Sequence, residues 1–232
     1  MRSLALLLQN LIEEPSLVDW EWISENFWED IVPAIQGHMY LSFVSVAIAL
    51  AISLPVGILA ARYRKIYPPV TFATGILYSI PSLALFSILI SVPGIVIGAT
   101  PVIIALVAYS LLILIRNVVA GIDSVPAETI DAARGMGLTP SQVLFKVELP
   151  LALPVIVAGI RIATVTIIGI ATIGAYISGG GLGKLIFDGI NRNFPTMIIV
   201  GAVLATALAI LADLLLLALE RYLRPWARRS KA

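Results

Sequence analysis

Cysteine is absent from this chain and histidine occurs once, at His38. Disulfide frameworks, thiol nucleophiles and Cys/His metal centres are therefore excluded. Charge is scarce too. Charged residues make up 12% of the 232 positions, against about 25% in a soluble domain. The net charge of +1 gives no global field that would gather nucleic acid. There is no low-complexity tract, no Ser/Gly linker and no second soluble domain. What fills the chain is apolar: 59% of residues are hydrophobic and mean hydropathy is +1.01. Since only helices and closed barrels satisfy their backbone in lipid, long apolar runs imply an all-α integral membrane protein.

A hydrocarbon core of about 30 Å needs roughly 20 apolar helical residues. Five runs qualify, at residues 39–61, 70–90, 95–120, 151–177 and 196–219. The positive side chains fall in alternate connections: Arg62, Arg64 and Lys65, then Arg134 and Lys146, then Arg221, Arg224, Arg228, Arg229 and Lys231. The positive-inside bias places these in the cytoplasm, so the N-terminus is expected outside and the C-terminus inside. The five spans do not divide into the inverted halves of many secondary transporters.

Three regions follow. Residues 1–37 form an acidic outward tail, with Glu13, Glu14, Asp19, Glu21, Glu25, Glu29 and Asp30 against Arg2. Trp20, Trp22, Phe27 and Trp28 among these acids suit a helix lying at the outer interface. Residues 4–8 are too short to span, and no small-residue cleavage pattern follows Arg2, so the tail is expected to be retained. Residues 38–220 are the membrane domain, and residues 221–232 a basic cytoplasmic tail.

The polar insert at residues 123–150 carries most of the functional information. Asp123 and Ser124 are placed to cap a short helix whose first turn holds Pro126 and Glu128. Gly135 or Gly137 ends it, since glycine tolerates the left-handed conformation there. Thr139, Pro140 and Gln142 start a second helix through a capping box, and Leu149 and Pro150 feed the fourth span. A helix this short is marginal in water. It needs a partner surface, and Ala132 with Ala133 offers a flat one; a connector lying on the membrane surface is the competing reading.

The run Asp131, Ala132, Ala133, Gly137, Val147, Glu148, Leu149, Pro150 resembles the EAA motif of ABC importer permeases, with Asp for Glu and Val for Ile. The resemblance extends from about His38 to the C-terminus, through residues 79–86, 115–122, 132–137, 146–152, 158–161 and 179–183. These stretches are most similar to permeases of quaternary-amine osmoprotectant importers, for glycine betaine, carnitine or choline. Methionine-import permeases share the EAA pattern and a glycine-rich outer loop. The tail before His38 departs from the family. What the resemblance implies is a type I ABC importer membrane domain whose insert is a coupling helix seated in a separate ATP-binding subunit. Glu128, Asp131, Ala132, Ala133, Gly137, Leu149 and Pro150 are then the coupling residues.

Ionisable residues inside apolar runs are expensive unless paired or near water. Arg161 and Asp213 are expected to pair, and Arg116 to snorkel to the inner interface. Pro55, Pro81, Pro101 and Pro154 interrupt or begin helices, and Pro81 with Ser79 and Ser82 is a candidate pathway wall. Tyr78, Phe86, Tyr109 and Tyr176 are candidate ring faces for a passing quaternary ammonium, although aromatics in spans usually only pack. Ser178, Gly179, Gly180, Gly181, Leu182, Gly183 and Lys184 fail the P-loop pattern at Ser178 and Leu185. They are expected instead to form an outer turn near a gate or binding protein.

The expected protein is thus a permease subunit that hydrolyses nothing itself, binds no metal or cofactor, and relies on ATP and Mg used by a partner ATPase. A second membrane subunit, an extracytoplasmic solute-binding protein, a small-molecule substrate and the lipid bilayer complete its partners, and its location is the cell (inner) membrane. Permeases for methionine or another amino acid, an ion-coupled carrier or channel, and a membrane-embedded enzyme are the alternatives; no acid pair or activated nucleophile favours the last.

Overall fold

The computed structural model describes residues 17–223. The apolar stretch 4–8, Arg2, Glu13, Glu14 and the basic residues Arg224, Arg228, Arg229 and Lys231 lie outside the described residues. Among those described, every regular element is helical: α1 (Trp20–Glu25), α2 (Val32–Arg62), α3 (Tyr67–Ser79), α4 (Ser82–Ile90), α5 (Ala99–Asp123), α6 (Ala127–Gly135), α7 (Pro140–Val143), α8 (Leu149–Gly174), α9 (Leu182–Asn191) and α10 (Pro195–Tyr222).

Four rods are long and apolar enough to cross a membrane: Phe27–Arg62, Ala99–Asp123, Pro140–Ile177 and Pro195–Tyr222. The expected second span, residues 70–90, is not one helix. It is α3 and α4, bent by 93°. Proline disfavours helical geometry in the residue before it, and both Ile80 and Pro81 are extended, with ψ of 128° and 138°. The Ile80 carbonyl freed by the break accepts a hydrogen bond from the Tyr109 hydroxyl at 2.7 Å. Pro55 and Pro154, by contrast, sit inside continuous helices, and Pro101 lies in the first turn of α5.

Two rods begin earlier than hydropathy indicates, each through a π turn, at Phe27–Ile31 and Leu144–Glu148. In both, the residue closing the wide turn, Val32 or Leu149, directly precedes a proline, Pro33 or Pro150. A proline ring clashes with the carbonyl four residues back and supplies no donor. Widening the turn by one residue lets the helix run on across it.

α5 is the centre of the bundle, with 61% of its most apolar window buried against 11% for α10. It packs between α2 and α8, and α3 and α4 lean on its side. The core runs along α5, from Phe86, Leu106, Tyr109 and Ile167 through Ala49, Leu114 and Ala163 to Val118, Ala152 and Ile156. Small residues set the spacing. A Cβ on Gly159 would stand 2.3 Å from Asn117 Cβ, and one on Gly57 2.6 Å from the Val118 side chain. α10 packs on α8 and α9, and its remaining side is exposed and apolar, with Val203, Ile210, Leu214 and Leu215.

The bundle has two ends. The loop end carries Arg62, residues 123–150 and Tyr222. The far end carries α1, the turn between α4 and α5, α9 and the start of α10. There Asp19 caps α1 through the Trp22 amide, and its own amide donates to Thr196 Oγ1 at 2.9 Å. Of the aromatics expected at an interface, Trp22 packs edge-on against Phe194 at 5.5 Å, while Trp20 and Trp28 are exposed.

Candidate functional site

At the loop end α5 stops at Asp123, and the polar insert hangs from the ends of three rods. Asp123 and Ser124 do not cap α6, contrary to expectation. The Asp123 carboxylate is held by both terminal nitrogens of Arg64, one at 2.9 Å, and Ser124 Oγ donates back to the Gly121 carbonyl at 2.7 Å. Pro126 takes the cap position without a side-chain bond. Since the guanidinium fork matches a carboxylate edge to edge, Asp123 is a hinge pin for α5 and not a cap. The same carboxylate raises the Arg64 guanidinium above its ordinary value.

α6 ends as a Schellman motif. The Leu138 amide donates to the Ala133 carbonyl and the Gly137 amide to that of Arg134, with Gly137 at φ +84°. Only that left-handed residue allows both bonds. Thr139 then closes a capping box, with its amide donating to Gln142 Oε1 at 2.9 Å and its Oγ1 accepting from the Gln142 amide. The helix so started is no separate hairpin arm: four residues of α7 pass through the π turn straight into α8. The fourth rod therefore begins at Pro140 and not at residue 151.

On α6, Glu128, Asp131 and Ala132 face solvent, as does Gly137 just beyond. Ala133 does not. It is 2% exposed and packs inward against the α7 side, so only one alanine of the pair is available to a partner. Met136, at 74% exposure, is the apolar feature of that outer face, unanticipated because an isolated Met reads as core. Leu149 is half-buried and Pro150 exposed, at the foot of α8.

Arg62, at the end of α2, ties the insert down. Its guanidinium donates to the Pro140 carbonyl at 3.1 Å and lies 3.5 Å from the Glu148 carboxylate. Glu148 is 4% exposed, a burial that an acid tolerates only when paired. Arg62 and Arg64 thus grip opposite ends of the insert, Arg64 where it leaves α5 and Arg62 where it enters α8. Their positive charge was legible in the sequence; their reach of 78 and 59 residues was not.

Within the rods, Arg161 of α8 meets Asp213 of α10 through Nε and Nη2, at 2.9 and 3.1 Å. It also meets Glu220, through Nη1 at 2.9 Å. Asp213 and Glu220 are seven residues apart, two turns of one helix face. Glu220 sits one residue beyond the apolar run 196–219, against the basic tail, which hid it. Arg116 is exposed on α5 beside Thr71, Phe72 and Tyr78 of α3, in a groove of about 800 Å³, and has no ion pair among the described residues.

The four candidate aromatics do not converge. Tyr78 and Tyr109 meet edge to face at 6.2 Å, but Tyr109 is buried and Phe86 is fully buried in the same core. Tyr176 stands apart on the far end against Phe187. Tyr78 and Tyr176 alone expose a ring to solvent.

At the far end, Gly179, Gly180 and Gly181 form a tight turn into α9, of which Gly183 is the second residue. Gly180 and Gly181 have φ of +78° and +73°, and a Cβ on Gly183 would stand on the Thr172 carbonyl oxygen. His38 is the post beneath the turn. Its Nε2 lies 3.0 Å from the Ile168 carbonyl and its Nδ1 accepts from the Leu182 amide at 3.3 Å. The ring therefore stands neutral with the proton on Nε2, joining α2, α8 and α9.

Residues 53–229 match the family described as binding-protein-dependent transport system inner membrane component. The chain belongs to this family. Among its relatives is the glycine betaine/carnitine/choline transport system permease protein OpuCD of Bacillus subtilis, 44% identical over 194 residues, which span 83% of this chain and 84% of that protein. Another is the osmoprotectant import permease protein OsmW of Salmonella typhimurium, 42% identical over 191 residues, or 81% of this chain and 89% of the other. The same fold is seen in the inward-facing MetNI methionine ABC transporter, with a TM-score of 0.75, 27% identity, and coverage of 83% of this chain and 95% of that one. As an inner membrane component of an ABC importer, the chain has a type I permease fold in which the insert between the third and fourth spans is the conspicuous polar projection.

Proposed function

We propose that this permease carries quaternary-amine osmoprotectants (glycine betaine, carnitine, choline) across the cell membrane, powered by a separate ATPase that seats α6. The observation that carries the coupling role is the exposed helix α6, whose flanks are clamped to the end of α2, Asp123 by Arg64 and Pro140 with Glu148 by Arg62. A force applied to α6 reaches three rods at once, because packed interiors transmit displacement and do not absorb it. Glu128, Asp131, Ala132 and Met136 face the ATPase. Gly137 sets the turn, and Leu149 and Pro150 pass the motion to α8. ATP binding draws the coupling helices of two membrane subunits together and opens the pathway to cargo from a solute-binding protein; hydrolysis resets it. The N-terminus lies outside and the C-terminus in the cytoplasm, so the loop end is the inner end. Of the outward tail expected at residues 1–37, the stretch from Phe27 is already part of the first rod, so the permease domain runs from there to residue 220, and residues 221–232 are a cytoplasmic tail.

The cargo class rests on what the OpuCD and OsmW relatives are named for. Methionine is the second reading, favoured by the fold shared with MetNI. ATPase activity of the complex purified with its native partners separates the two. Stimulation by glycine betaine, carnitine or choline is expected, and stimulation by methionine alone overturns the cargo assignment.

A further inference from the structure

Between the first turns of α2 and the face of α9 lies a cavity of about 420 Å³ at the far end, within the range of about 300–1,000 Å³ for small-molecule sites. Glu29 and Asp30 enter from the π turn, Tyr40 from α2, Lys184 and Asp188 from α9, and Arg192 from its C-cap. Lys184, Asp188 and Arg192 recur every fourth residue and so share one face of α9. At that spacing Lys184 and Asp188 are able to pair across a turn, yet none of the five charged side chains forms an ion pair among the described residues. Three carboxylates and two cations thus line one chamber without neutralising each other. The glycine turn that lines the wall between them is anchored by His38, which accepts from the next amide, that of Leu182.

We infer that this chamber is a binding site for a small zwitterion, with its cationic head against Tyr40, Glu29, Asp30 and Asp188 and its carboxylate on Lys184 and Arg192. A fixed ammonium without N–H groups is recognised by opposite charge and by a ring face. A carboxylate takes charge-assisted bonds from ammonium and guanidinium donors. A lone anion or a metal ion satisfies only half of this lining, and the two cations repel the latter. The inference rests on the proposed cargo and deepens it: the permease itself holds the solute at its outer mouth, before the membrane path. The charges that build the site come from the segment preceding His38 and from α9, and two of the acids lie in the tail that departs from the family pattern.

The test is equilibrium binding of radiolabelled glycine betaine to the intact importer complex, without solute-binding protein or ATP, in phosphatidylglycerol nanodiscs that carry no ammonium headgroup. Saturable binding is expected. Lys184→Ala with Arg192→Ala should weaken glycine betaine about tenfold or more while leaving choline, which lacks a carboxylate, nearly unchanged. Asp30→Asn with Asp188→Asn should weaken both ligands. Lys184 and Arg192 are exposed, Asp30 and Asp188 are half-buried, and none of the four forms an ion pair among the described residues, so the thermal midpoint should not move, and Arg192→Lys should restore part of the affinity. Absence of saturable binding, or equal losses of both ligands in both variants, overturns the site. So does a loss of solute-binding-protein affinity with direct binding intact, which assigns the face to docking, and so does displacement by phosphatidylcholine, which assigns it to lipid. If glycine betaine is transported normally but never binds directly, only the site falls. If the wild-type complex neither binds nor transports it, the cargo assignment falls too.

Discussion

Arg161 answers to two carboxylates, and that ratio decides what its removal does. Arg161→Ala strands Asp213 and Glu220 in an apolar helix, which is costlier than losing one partner of a balanced pair. The variant should lose several degrees of thermal midpoint, more than Asp213→Asn, and adding Asp213→Asn to it should recover part of the loss; differential scanning fluorimetry of the detergent-solubilised complex reads all three. Gly137 is a second single-residue lever. Its φ of +84° costs a β-branched residue about 1–2 kcal/mol, so Gly137→Val should weaken ATPase co-purification by roughly a factor of ten while insertion into the membrane is unchanged. His38 is a third. His38→Ala leaves the Leu182 amide without its acceptor, a buried loss of about 1–3 kcal/mol that should appear as faster hydrogen exchange confined to the start of α9.

At the scale of elements, what the sequence made legible was chemistry confined to a few neighbouring residues. The Thr139 capping box and the glycine turn after α6 follow from spacing and local donors, and the distant pairing of Arg161 with Asp213 was legible only because unpaired charges are expensive in apolar runs. What it hid depended on packing or on distant partners. Pro55, Pro81 and Pro154 look alike in apolar runs, yet of the three only Pro81 breaks its helix, at a point where the freed Ile80 carbonyl meets the Tyr109 hydroxyl 29 residues on. Asp123 is a good cap by composition, but Arg64 claims it first. Ala133 turns inward because α6 folds back on α7, an orientation that no motif states. The bend at Ile80 makes its own prediction: Tyr109→Phe deprives the carbonyl of its donor, costing about 0.5–1.5 kcal/mol, and should lower the thermal midpoint without altering expression. A variant indistinguishable from wild type would show that water replaces the hydroxyl.

In the proposed mechanism, the molecule as a whole joins a loop end gripped by a motor to a far end entered by solute, through rods clamped at both. Arg62, Arg64 and the Schellman turn make the loop end stiff, and His38 with the glycine turn does the same at the far end. The absence of cysteine from the whole chain makes the central claim accessible to a direct measurement, since a single introduced thiol is the only one this subunit contains. Ala132→Cys, on the exposed face of α6, should form a site-specific cross-link to the ATPase subunit in native membranes, with a yield that changes when ATP is added, whereas Tyr176→Cys at the far end should not. A cross-link from Tyr176→Cys and none from Ala132→Cys would contradict the account.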